Sequence, residues 1–166
     1  MTIRRHPMLD PRGRPPQVTE IRPRFFVGEY PRPEDVPVLH SELALSAVVS
    51  LQDDDDLAIK GLRLAELSEA YRSHGIEFRR VPVADNDPDA LTRALPEALA
   101  CVHSFLDAGH RVLLHCNAGY NRAPTVAIAY LHAHCAMPLP GARDLVKSLR
   151  PCLPFMTVLE RHFTRR

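Results

Sequence analysis

The chain has 166 residues, 45% of them hydrophobic and 25% charged, with a formal net charge of +1. That length supports one domain whose core needs neither metal nor disulfide staples. The near-neutral charge argues against a dedicated nucleic-acid or membrane-surface binder, which needs a large cationic excess, and no apolar run approaches a membrane span.

Residues 1–17 are rich in Arg and Pro and lack the apolar core of a signal peptide, so they read as a flexible leader before one domain at 18–166. Residues 21–28 cluster apolar side chains as one short strand or a pair of strands. Pro31, Pro33, Glu34 and Asp35 predict a loop and a helix start, the helix running to about Ser41. Residues 47–51 read as a buried strand. The run Asp53, Asp54, Asp55, Asp56 follows. Adjacent carboxylates repel one another, so an exposed loop or helix start is expected there; a metal site needs converging ligands, which a run does not supply.

Residues 62–74 have helical spacing, with Leu64, Leu67, Ala70 and Tyr71 near one face and Gly75 as the stop. Residues 76–83 alternate as a strand, and residues 84–89 form a turn-rich acidic loop. A helix is predicted over 90–108, a central strand over 112–115, and over 123–134 a helix apolar nearly all round and hence buried. Helices near 141–149 and 154–163 follow. Strands interleaved with helices give an α/β class, a central mixed sheet flanked by helices, with a loop between a central strand and a helix at the sheet's carboxyl end. Cys101, Cys116, Cys135 and Cys152 show neither metal-ligand spacing nor a secreted disulfide pattern. A reducing cytoplasm fits them, and no metal or other cofactor is implied.

The chemistry lies after the central strand. Val112, Leu113 and Leu114 lead into His115 and Cys116; Asn117, Ala118, Gly119, Tyr120 and Asn121 follow, and Arg122 opens the next apolar stretch. A strand, a tight loop and a helix N-terminus bring unpaired N–H donors and the helix dipole to the loop, which favours an anion. The same field favours a thiolate at Cys116. Arg122 adds a planar fork able to grip two oxygens of a phosphate, and Gly119 lets the backbone turn close to it. Asn117, Ala118, Tyr120 and Asn121 are expected to offer backbone N–H groups and to shape the rim with their side chains. Nucleophile and oxyanion cradle in one loop make a phosphoryl-transfer site.

His115-Cys116-x-x-Gly119-x-x-Arg122 resembles the signature of cysteine-based dual-specificity phosphatases. Residues 21–28 resemble that family's opening strands and residues 142–151 the helix closing its catalytic domain, so the likeness covers roughly residues 18–164. The resemblance implies a single-domain phosphatase fold and hydrolysis of phosphomonoesters through a cysteinyl-phosphate on Cys116. It implies an acid in the loop before the signature. Asp85 is the choice, first as general acid and then as base on water. Asp87 and Asp89 come next, both with turn formation and helix capping as the alternative role, which is preferred for Asp89. It further implies that His115 orients the loop and keeps Cys116 ionised through hydrogen bonding. Ala123 departs from the commoner Ser or Thr, whose hydroxyl helps the thiolate leave phosphorus, so slower hydrolysis of the intermediate is expected.

Residues 50–57, the spacing around Asp85 and residues 150–154 resemble the plant glucan phosphatases, so the implied partner is a phosphorylated protein or a phosphorylated glucan. Tyr120 is the aromatic expected to touch substrate, with Phe25, Phe26, Tyr30 and Phe155 as further candidates better placed in the core. The absence of Lys from residues 117–121 argues against a phosphoinositide. Three alternatives stand beside this reading. An RNA 5′-phosphatase is suggested by Asn121, against the near-neutral charge. A non-catalytic phosphate-binding module has Cys116, Arg122 and Asp85 counting against it. Sulfur transfer in a rhodanese-like domain fits the Asp85 segment and the closing helix poorly.

Overall fold

The computed structural model describes residues 16–164, so the leader expected over residues 1–17 lies outside it except for Pro16 and Gln17. Five strands form one mixed sheet in the order β1-β2-β5-β3-β4. β1 (Val18–Arg22) runs antiparallel to β2 (Phe25–Gly28), whereas β2, β3 (Ala47–Ser50), β4 (Glu77–Arg80) and the central β5 (Val112–His115) are parallel.

The period of two along each strand divides the core into two layers. Phe25, Val27, Ala47, Val49, Val112 and Leu114 point into the layer shared with α4 (Pro88–Asp107), α5 (Arg122–His134), α6 (Leu139–Leu149) and α7 (Met156–Thr164). Phe26, Val48 and Leu113 point the other way, toward α1 (Val36–Leu43), α2 (Asp54–Ile59) and α3 (Leu64–Ser73). Strands buried on both faces read as continuous apolar runs, and each fully buried Leu or Val stabilises by roughly 1.5–3 kcal/mol. α5 passes through the first layer, and residues 122–129 along it are all buried, as its composition predicts.

Local chemistry moves several boundaries. Residues 21–28 form two strands because Pro23 and Arg24 turn the chain, Arg24 taking φ 72. The helix expected from Pro33 begins as a 3-10 turn, Pro33–Asp35, before α1, which continues to Leu43 and ends at Ala44 in a left-handed conformation. α4 starts at Pro88 because Asp87, not Asp89, caps it: the Asp87 carboxylate accepts the Ala90 N–H at 2.9 Å. Leu64, expected on the buried face of α3, is 38% exposed, and Leu67 and Tyr71 carry the packing.

The parallel register sets the site. Gly28 and Ser50 both lie level with His115. The segments leaving β2, β5, β3 and β4 therefore emerge at the same end of the sheet.

Candidate active site

Residues 116–121 join β5 to α5, and the fold takes hold of every carbonyl along them. The His115 ring bonds the Cys116 carbonyl at 3.0 Å, and the Tyr30 N–H donates to that of Asn117 at 3.1 Å. Arg150 donates through Nη2 to Ala118 O at 3.2 Å and through Nε to Gly119 O at 2.8 Å. The Leu153 N–H donates to Tyr120 O at 2.9 Å, and the Thr125 hydroxyl to Asn121 O at 2.6 Å. Carbonyls committed to the scaffold leave the loop's N–H groups for the cavity it encloses, which makes a nest for an anion. That cavity, about 130 Å³, is lined by Asp85, Cys116, Asn117, Ala118, Tyr120, Asn121 and Arg122.

Gly119 is demanded by the same packing. Its φ is +63, and a side-chain carbon there would lie 2.8 Å from both the carbonyl carbon and oxygen of Gly28.

Arg122 begins α5 and is buried. Its Nη1 donates to Asp56 Oδ2 at 2.6 Å and to Val83 O at 2.8 Å. Its Nη2 lies 3.3 Å from Asp85 Oδ1, and its Nε is buried with no hydrogen-bond partner among the described residues. Burial works against the guanidinium charge, but the hydrogen bond to Asp56 and the electrostatic pull of the neighbouring acidic groups outweigh it, raising Arg122 above its ordinary range. Nε and Nη2 together form the side-on edge that grips an oxyanion.

Asp56 is the residue that sequence reasoning missed. The run 53–56 does open a helix: Asp53 accepts the Asp56 N–H at 2.9 Å and caps α2. The expectation of an exposed run fails for Asp56, which is 3% exposed. Beside Arg122, it takes the Asn117 side-chain N–H on Oδ1 at 2.7 Å. Burial alone would raise its carboxyl, but the bonds from Arg122, from the backbone and from Asn117 overcome this and hold it below the usual range. The run's carboxylates diverge, with Asp54 turning to Arg80 at 2.7 Å, so they converge on no common ion.

Asn117 also departs from expectation. Its side chain does not shape the rim; it points inward, donating to Asp56 and accepting from Gln52 Nε2 at 2.8 Å. His115 is buried and held neutral, its ring pushed down to about 4 by desolvation and by the Arg122 charge, against the opposing bond to the Cys116 carbonyl. A carbonyl acceptor fixes Nδ1 as the protonated nitrogen. The hydrogen bond thus orients the Cys116 backbone rather than reaching its sulfur.

On the rim, Tyr120 is 41% exposed, whereas Phe25, Phe26 and Tyr30 are buried and Phe155 packs against the core. Asn121 Nδ2 donates to Leu153 O at 2.6 Å, which pins the 55% exposed Leu153 beside the loop. All four cysteines are free thiols. A larger cleft of about 500 Å³ lies between β4 and α4 and includes Cys101, but burial and Glu97 push that thiol up, the reverse of what a nucleophile needs. Among the described residues no helix is long and apolar enough to cross a membrane.

The site thus joins a buried thiol, a guanidinium with one nitrogen unpaired among the described residues and a partly exposed carboxylate. The family model "Dual specificity phosphatase, catalytic domain" matches residues 25–161. Laforin of Mus musculus is 27% identical over 146 residues, covering 81% of this chain and 44% of that protein. An amyloplastic phosphoglucan phosphatase of Castanea sativa is 29% identical over 143 residues, covering 84% of this chain and 38% of that protein. The chain therefore spans less than half the length of these curated relatives. Among solved structures, Tk-PTP in its active form superposes with a TM-score of 0.76 at 25% identity, covering 90% of this chain and 97% of that one.

Proposed function

The chain belongs to the dual specificity phosphatase family, and we propose that it hydrolyses phosphomonoesters through a cysteinyl-phosphate on Cys116. The observation that carries this reading is the loop itself, whose six carbonyls from Cys116 to Asn121 are all bonded to the scaffold while Arg122, its Nε without a partner among the described residues, lines the cavity the loop encloses. Residues 18–166 form the catalytic unit.

The first step forms a bond from Cys116 sulfur to phosphorus and breaks the ester P–O bond. The buried guanidiniums of Arg122 and Arg150 both lie within electrostatic reach of Cys116, so a negative sulfur has cationic neighbours. Phosphoryl oxygens gain charge as the bond breaks; the N–H groups of residues 117–121 and the Arg122 fork receive it, each such donor supplying ~3 kcal/mol to the transition state. Asp85 protonates the leaving oxygen. In the second step Asp85 takes a proton from water, the water oxygen bonds to phosphorus, and the S–P bond breaks to release phosphate. Ala123 brings no hydroxyl to this step, and the nearby Thr125 hydroxyl is committed to Asn121 O, so hydrolysis of the intermediate is slowed.

The substrate is a phosphorylated protein or a phosphorylated glucan. Tyr120 and Leu153 offer exposed apolar surface at the mouth, suited to the face of a phosphotyrosine ring or of a sugar. The likeness to a phosphoglucan phosphatase supports the second class. A reducing compartment such as the cytoplasm keeps Cys116 available. Phosphate release by the purified protein, compared on a solubilised phosphoglucan, phosphotyrosine and phosphothreonine peptides and an activated aryl phosphate, decides between them. Faster release from glucan or from peptide assigns the class. No release from any of the four overturns the enzymatic reading in favour of a phosphate-binding module.

A further inference from the structure

β4 is an edge of the sheet, and among the described residues no strand pairs with its outer side. The Glu77 N–H donates to Ser46 O and the Val81 N–H to Ser50 O, each at 2.9 Å, so Glu77, Arg79 and Val81 turn their backbone groups toward β3. By alternation Phe78 and Arg80 present theirs to the open edge. The helices leave that edge bare on both faces. α4 packs over β3 and β5, with the cleft of about 500 Å³ between it and β4, and on the α3 side a groove of about 290 Å³ runs past Glu77 and Phe78. Side chains alternate too. Glu77 and Arg79 share the face of Ala47 and Val49, and both are exposed with no hydrogen bond or ion pair among the described residues. On the other face Phe78 is half-buried, its ring 4.8 Å from that of Tyr71, and Arg80 is committed to Asp54 and to Gln52 O.

We propose that two copies of this chain associate through β4, antiparallel across a two-fold axis, with Phe78 of one copy opposite Phe78 of the other, so that the two sheets become one. Such a pairing is isologous and must set edge-facing residues opposite each other, which leaves few registers. Centred on Glu77 it sets Glu77 against itself; centred on Arg79 or Arg80 it sets an arginine against itself. Like charges directly opposite are destabilising. Centred on Phe78, it puts Glu77 of each copy opposite Arg79 of the other, in the non-hydrogen-bonded positions where side chains stand closest. The Phe78 residues exchange backbone hydrogen bonds, and their rings meet on the opposite face. Charged side chains ordinarily guard a short edge against foreign strands. Here the two signs, two residues apart, are complementary to their own copy. A strand of four residues buries little surface, so the complex is a reversible one that responds to concentration. Because β4 and β5 run parallel within each copy, the two loops between β5 and α5 open at opposite ends of the joined sheet.

Sedimentation velocity of the full chain over a range of concentrations and salt tests the pairing. A monomer–dimer equilibrium that weakens with added salt is expected. Arg79→Glu and Glu77→Arg each set like charges opposite at both ion-pair positions, and either alone should raise the dissociation constant by about tenfold or more. Both residues are exposed, so circular dichroism and thermal denaturation should stay close to wild type, which separates lost association from lost fold. An equimolar mixture of the two variants brings opposite charges together again and should dimerise with an affinity near that of the wild type. A wild type that stays monomeric at its highest soluble concentration, a dimer indifferent to both reversals, or a mixture no more associated than its components overturns the pairing. None of these results bears on the chemistry at Cys116.

Discussion

Asp56 and Arg122 stand 66 positions apart in sequence and meet in the interior with Oδ2 of the carboxylate 2.6 Å from Nη1 of the guanidinium. The other oxygen of Asp56 receives Asn117, so a single carboxylate ties together the two ends of the loop between β5 and α5. Rigid placement of donors that meet charge only in the transition state is the larger part of catalysis by such a loop.

Removing one partner of a buried pair leaves an uncompensated charge, which costs about 3–5 kcal/mol. Asp56→Ala should lose stability of that order in urea denaturation, together with most turnover. Asn117→Ala breaks the charge-assisted hydrogen bond to Asp56, worth about 1.5–3 kcal/mol, and the neutral one from Gln52, worth about 1 kcal/mol. Equal losses in the two variants would mean that the Arg122 pairing adds nothing.

Acid should destabilise the protein in two separable windows. His115 is neutral in the fold down to about 4, whereas the unfolded chain binds its proton from 6.5 downward. Its contribution is therefore complete above pH 6.5 and is lost as pH falls to about 4, a decline of about 3 kcal/mol. Asp56, held below its ordinary value of 3.8, gives stability that is present above that value and lost as pH falls further, through its folded value. His115→Asn should flatten the first window and leave the second. An unchanged slope between pH 4 and 6.5 would contradict the assignment.

Gly119→Ala pushes a methyl into the Gly28 carbonyl, which is backbone and cannot swing aside, and holds Ala at a φ of +63. A loss of at least about 2 kcal/mol in thermal or chemical denaturation is expected from strain and overpacking. The loss of turnover should be larger than global unfolding explains, because the loop itself is displaced. A fully active, stable variant would show that the close approach is not required.

Asp85→Asn should slow release from alkyl phosphates on the order of a hundredfold or more, as expected for loss of a general acid. Activated aryl phosphates, whose leaving groups depart without a proton, should suffer much less. Equal losses on both substrates would move the acid to another residue.

Sheet, helices and the loop between β5 and α5 were legible in the sequence because their signals are local. The apolar run of residues 112–114 ending at His115 and Cys116, the spacing to Arg122 and the uniformly apolar α5 need only neighbours to be interpreted. Asp56 was hidden for the opposite reason. Four identical residues carry no mark of which one faces inward, and only the turn of α2 against the loop selects the last of them. In sequence Arg150 reads only as part of the closing helix. Its role as clamp on Ala118, Gly119, Val27 and the Thr19 hydroxyl depends on chain segments up to 131 positions away. The inward direction of the Asn117 amide likewise depends on Gln52 and Asp56, both distant in sequence.

The central claim is the covalent step on Cys116, and trapping it is the most direct measurement. The full chain would be mixed with an activated aryl phosphate, quenched in acid within the first turnover and analysed as intact protein and as peptides by mass spectrometry. The account predicts one added phosphoryl group, located on Cys116, with the aryl alcohol released in a burst and the adduct absent from Cys116→Ser. With no hydroxyl at Ala123 the second step is expected to be slowed, so the adduct should build up in the wild-type chain without further manipulation. Turnover of the aryl phosphate by Cys116→Ser at the wild-type rate, or an adduct on any other residue, would contradict it.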